Sequence, residues 1–149
     1  MFFLFSIIVF IALSIMAALM GGATYRFINI PSAILVFISP FIFAVAATSV
    51  KAWTLSLKLL LIDQDYPDHK KVKEASTFLK VYGNTSLILG IFYTLFGAIQ
   101  MLESFEFPGT TGTVIARASS VCILTLLYGI AIKCIFYVAD QRICNKYLS

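Results

Sequence analysis

Charge is what this sequence is short of. Of 149 residues only 12% are charged, against 60% hydrophobic, and the mean hydropathy is +0.96. So little charge leaves no room for a separate soluble domain. Histidine occurs once, as His69 in a lysine-rich segment, and it reads as a solvated side chain. The three cysteines, Cys122, Cys134 and Cys144, are odd in number and match no metal-site spacing, so they read as small apolar packing residues. Asp, Glu and His are absent from the interiors of the long apolar runs. Carriers of protons through a bilayer use ionisable groups inside it, so this polypeptide alone cannot relay protons by titration. The net charge of +4 comes from lysines between and after the apolar runs. A nucleic-acid-binding protein would gather such charge on one face of a folded domain, so nucleic acid is not an expected partner.

What the chain does have is four charge-free stretches, residues 1–25, 27–50, 81–102 and 118–132. A hydrocarbon core of about 30 Å is crossed by roughly 20 helical residues. Three stretches reach that length, and the fourth does so if Lys133 snorkels and Cys134 to Ala139 extend the run. The expected fold is an all-α membrane protein: four transmembrane helices in two hairpins, with a short cytoplasmic helical extension. The spans fall at about 2–20, 31–50, 83–102 and 113–139, with a helical hairpin over 51–82, all in one membrane domain. The first run has no basic flank and exceeds a typical signal-peptide core, so a retained first span is expected.

Lys51, Lys58, Lys70, Lys71, Lys73 and Lys80 lie between the second and third spans, and Lys133, Arg142 and Lys146 at the end of the fourth. The positive-inside rule then puts both termini and the 51–80 segment in the cytoplasm. Pro31 suits the first turn of span two. Pro40, mid-span, should kink that helix, and residues 51–62 should continue it into the cytoplasm. Asp63 to Asp68 reads as a loop, with Asp68 as the N-cap of the helix that rises into span three.

Helix periodicity marks out the last two spans. Gly83, Ser86, Gly90, Tyr93, Thr94, Gly97 and Gln100 share roughly a third of one helix's circumference, opposite Ile88, Ile91, Phe92, Leu95, Phe96 and Ile99. In span four Ala118, Cys122, Thr125 and Gly129 form a second small stripe. Such faces either let helices approach closely or border a lumen or groove that admits another helix or an ion. No nucleophile arrangement, midplane charge or inverted repeat is visible, so neither an enzyme nor a small-solute transporter is expected, and no cofactor.

Two stretches carry a family resemblance. Gly21-Gly22 followed by Phe27-Ile28-Asn29-Ile30-Pro31-Ser32-Ala33-Ile34-Leu35-Val36 is similar to the glycine pair, Asp-x-Pro-Ser turn and β-branched second span of MotA, with Asn29 where Asp is usual. Gly90-Ile91-Phe92-Tyr93-Thr94-Leu95-Phe96-Gly97 resembles the Gly-x-x-Gly-Thr-Val-x-Gly motif of the MotA/TolQ/ExbB class, with Tyr93 replacing the second glycine. Phe107-Pro108-Gly109, Ile115 to Ala118 and Thr125 to Gly129 follow the class order of outer loop and final span. The resemblance implies a pore-forming subunit of an H⁺- or Na⁺-driven envelope motor in a bacterial inner membrane, with its outer faces against membrane lipid. It implies a homo-oligomer of five copies around two membrane helices of a single-span MotB/ExbD/TolR-like partner whose Asp carries the ion. Thr94, Thr125, Gly90, Gly97, Ser86, Tyr93, Ala118, Cys122 and Gly129 would line the lumen. Only residues 51–82 separate the second and third spans, so the large cytoplasmic domain of flagellar MotA is absent and a flagellar role is not expected.

Overall fold

The computed structural model describes residues 2–20, 29–61, 68–103 and 112–147. They form five α-helices: α1 (Phe2–Met20), α2 (Ile30–Ala47), α3 (Val50–Leu61), α4 (His69–Glu103) and α5 (Gly112–Tyr147), with no strand among the described residues. Three of these, α2, α4 and α5, are long and apolar enough to cross a membrane, while the described apolar stretch of α1, Phe5–Met16, is shorter. The chain is therefore an all-helical, multi-pass membrane protein. The Gly21-Gly22 turn, the 63–67 loop and the Pro108-Gly109 loop lie outside the described residues.

Local chemistry sets the helix ends. The Asn29 side chain accepts the Ser32 N–H at 3.2 Å, and Pro31 occupies the first turn of α2, where a missing N–H costs nothing. Asp68 caps α4 by accepting the Lys70 N–H at 3.0 Å. Residues 51–62 do not simply continue the second span. Thr48 ends α2 by turning its hydroxyl back onto the Ala44 carbonyl at 2.7 Å, and Ser49 starts α3 by accepting the Ala52 N–H at 3.1 Å. The Thr48 hydroxyl is thus a second donor to a carbonyl that already takes the Thr48 N–H at 3.1 Å, and the Ser49 hydroxyl caps the new helix. The Ser49 hydroxyl also donates to Glu74 Oε1 at 2.8 Å, tying the joint to α4. At Pro40 the helix continues rather than ending, with the proline buried against its neighbours. Three residues earlier the Phe37 carbonyl accepts the Tyr82 hydroxyl at 3.0 Å, tying α4 to α2 beside the proline.

α4 and α5 form the central antiparallel pair. Contacts pair Ser76 with Asp140, Gly83 with Lys133 and Phe136, Gly90 with Gly129, Thr94 with Cys122, and Met101 with Ser119. α2 and α3 each pack against both members of this pair, chiefly α4, and α1 touches α5.

Two packing regimes follow one another along it. At the end that holds α3, large side chains are buried: Val72, Phe78, Leu79, Leu59 and Ile143. Rings of Phe41, Trp53, Phe78, Tyr82 and Phe136 meet there, Phe41 on Trp53 at 5.6 Å and Tyr82 on Phe136 at 4.3 Å. This end is packed as a core of large aliphatic and aromatic side chains. Along the charge-free parts of α4 and α5 the closest contacts are instead made by glycine and hydroxyl residues, with Leu124 and Ile132 buried beside them, and Ile88, Phe92, Leu95, Phe96, Ile99, Ile123 and Leu127 point outward. Lipid gives no hydrophobic drive to bury such residues, so close backbone approach has to hold this part together.

Candidate functional site: the seam between α4 and α5

The two small stripes face each other. At their centre a Cβ on Gly129 would stand 2.8 Å from the Ser86 carbonyl oxygen and 3.2 Å from the Gly90 Cα, so the helices are in backbone contact there. One turn outward, Thr94 Oγ1 donates to the Gly90 carbonyl at 2.7 Å and lies 3.0 Å from the Cys122 carbonyl across the seam. A Cβ on Gly97 would meet Cys122 Sγ at 2.7 Å. Glycine at each of these positions, and the absence of any longer side chain, are what let α4 and α5 close.

The remaining predicted residues divide by where they point. Ser86 is fully buried and bonds the Tyr82 carbonyl one turn below at 2.9 Å. Thr125 is buried, its hydroxyl donating to the Val121 carbonyl at 2.9 Å and standing 3.0 Å from Ser32 Oγ of α2. Tyr93 lies at the edge of the stripe and reaches α2, its hydroxyl 3.2 Å from Ser39 Oγ. Ser86, Gly90, Thr125 and Gly129 are thus enclosed within the chain, whereas Tyr93, Thr94, Gly97, Ala118 and Cys122 stay half-buried. Tyr128, one residue before Gly129, accepts the Asn29 N–H at 3.2 Å, linking α5 to the start of α2.

Sequence reasoning missed the seam's one buried charge. Asp140 is 2% exposed at the α3 end of the seam. Its Oδ1 accepts the Ser76 hydroxyl at 2.5 Å and the Cys144 thiol at 3.7 Å, and Lys80 Nζ stands 3.7 Å from Oδ2. A buried carboxylate is tolerated only with such partners. The signal was present: the stripe of Ala118, Cys122, Thr125 and Gly129, continued at three- to four-residue steps, runs through Phe136 to Asp140. Counting Asp140 as the first polar residue beyond the span concealed its inward direction. Among the described residues, no three His, Cys, Asp or Glu side chains converge as metal ligands do.

The arrangement defines a class, a helical membrane protein built around a glycine-locked antiparallel pair. No protein-family model, curated protein or solved structure matches the chain.

Proposed function

We propose that this chain is the multi-span subunit of an ion-driven envelope transducer of the MotA/TolQ/ExbB kind, in the inner membrane of a bacterium. In this reading α1 is a fourth membrane helix, and the termini and the α3 end of the bundle face the cytoplasm with the lysines. Copies of the chain, five by the resemblance, surround two helices of a single-span MotB/ExbD/TolR-like partner. The observation that carries the reading is the α4–α5 pair, locked at Gly90 and Gly129 beside the threonine of the class-like motif. Its charge-free stretches hold no titrating carboxylate, so the ion-carrying Asp belongs to the partner. Roles then separate. Ser86, Gly90, Thr125 and Gly129 are enclosed and hold each subunit together, and the half-buried Tyr93, Thr94, Gly97, Ala118 and Cys122, some of which also touch across the seam, border the lumen. Each charge crossing 100 mV supplies about 2.3 kcal/mol, so a few ions per step suffice for mechanical work.

One observation favours a second reading, a membrane scaffold with no ion path: the Thr125–Ser32 and Tyr93–Ser39 pairs spend polar groups inside the chain. The two are separated by purifying the chain with an adjacent-gene product that has one span and an intramembrane Asp, then weighing the complex by native mass spectrometry. Five copies with two partners is the expected result. Failure to co-purify, together with another copy number, refutes the transducer. Thr94→Val should abolish the ion-driven process while leaving the melting temperature close to wild type; a scaffold would keep its function.

A further inference from the structure

Among the described residues, one edge of the α4–α5 seam carries more positive charge than its one carboxylate, Asp140, offsets. Lys133 of α5 directs Nζ to the Asn84 Oδ1 of α4 and lies 5.9 Å from the Tyr137 ring centroid. Gly83 makes room for its stem, since a Cβ there would be 3.5 Å from Lys133 Cδ. One turn along α4 from Asn84, Lys80 is 56% exposed while touching Asp140, so its ammonium keeps free N–H groups. Lys80 and Asn84 on α4 thus stand opposite Lys133 and Tyr137 on α5, with two ammonium groups, one amide and a single buried carboxylate. The edge is net positive.

Its depth is as telling as its charge. Asn84 lies one turn inside the third charge-free run and Lys133 directly follows the fourth, so a snorkelling Lys133 brings its ammonium, with Asn84 beside it, to the level where hydrocarbon gives way to headgroups. From Asn84 the same helix face continues at helical spacing as Ile88, Ile91 and Leu95, and from Lys133 as Ile130 and Ile123, all exposed. A basic edge between two membrane helices at this level, with an apolar track rising from it, matches an anionic phospholipid: phosphate against the lysines, acyl chains along the isoleucines. A free phosphate would use the first half and leave the track without purpose. The geometry points to a site for an anionic phospholipid headgroup at Lys133, Asn84, Lys80 and Tyr137. It is independent of whether the chain conducts ions.

The test uses the full chain in mild detergent, titrated with phosphatidylglycerol or phosphatidylcholine, with bound lipid read by native mass spectrometry. Phosphatidylglycerol should be retained in preference to phosphatidylcholine. Lys133→Gln should weaken it about fivefold, the equivalent of ~1 kcal/mol for one lysine at the surface. Lys133→Arg should keep most of the binding, and Lys71→Gln, an exposed lysine in the first turn of α4, should leave it unchanged. Asn84→Ala supplies a second variant that keeps every charge, and it should also weaken retention. Equal retention of both lipids overturns the site, as does wild-type retention by Lys133→Gln and Asn84→Ala. An equal loss in Lys71→Gln would show diffuse surface charge instead, and displacement by millimolar inorganic phosphate would show a free-anion site; either result also overturns it.

Discussion

Adding one methyl group to Gly129 should loosen the seam, and the structure says by how much. The new Cβ would stand 2.8 Å from the Ser86 carbonyl oxygen, about 0.6 Å inside ordinary contact, and 3.2 Å from the Gly90 Cα. Both obstacles are backbone, which cannot rotate aside, so α4 and α5 must part. Overpacking of this kind costs roughly 1–3 kcal/mol. Alanine recovers about 1 kcal/mol through its better helix propensity. Gly129→Ala should therefore be less stable by about 1 kcal/mol net, and Gly129→Leu by well beyond that. Thermal unfolding in detergent, followed by circular dichroism, reads the difference. Internal controls make the test sharp. Gly97→Ala meets only Cys122 Sγ, a movable atom at 2.7 Å, so its smaller loss should vanish in the Gly97→Ala/Cys122→Ala double variant. Gly112→Ala meets nothing within 4 Å and should be neutral. If Gly129→Ala and Gly112→Ala unfold alike, the backbone contact at Gly90 and Gly129 does not hold the pair together.

Two further perturbations probe other parts of the seam. Asp140→Ala should cost about 2 kcal/mol, the scale of a hydrogen bond to a charged group, and the double variant with Ser76→Ala should lose clearly less than the two single changes added; strict additivity in melting would show that the 2.5 Å contact does no work. Thr125→Val and Ser32→Ala should each lose about 0.6 kcal/mol, as interhelical hydrogen bonds in membranes do, with a measurable coupling between them; no coupling in the double-mutant cycle would place the two hydroxyls apart.

Much of the architecture was legible in the residues because length and period are strong signals in lipid. The runs 83–102 and 113–139 lie inside α4 and α5, and Asp68 and Pro31 mark helix starts by chemistry that needs no tertiary partner. The break at Thr48-Ser49 was not legible, since apolar periodicity runs across it and it is marked only by the hydrogen bonds of the Thr48 and Ser49 hydroxyls, the latter reaching Glu74 on α4. The stripes were visible as faces, but which surface a small face meets is a tertiary fact. Gly90 and Gly129 could equally have opened toward a foreign helix until the position of the neighbouring carbonyls was known. Asp140 escaped because polarity was read along the chain rather than around the helix.

The continuity of α5 has a mechanical consequence. Its 36 residues make an unbroken rod of roughly 54 Å, and α4 beside it is nearly as long. A tilt of about 5° imposed at the aromatic end therefore sweeps the far tip through roughly 5 Å, as any stiff lever of that reach does. α2 and α3, separated at Thr48-Ser49, are 18 and 12 residues long and make much shorter levers.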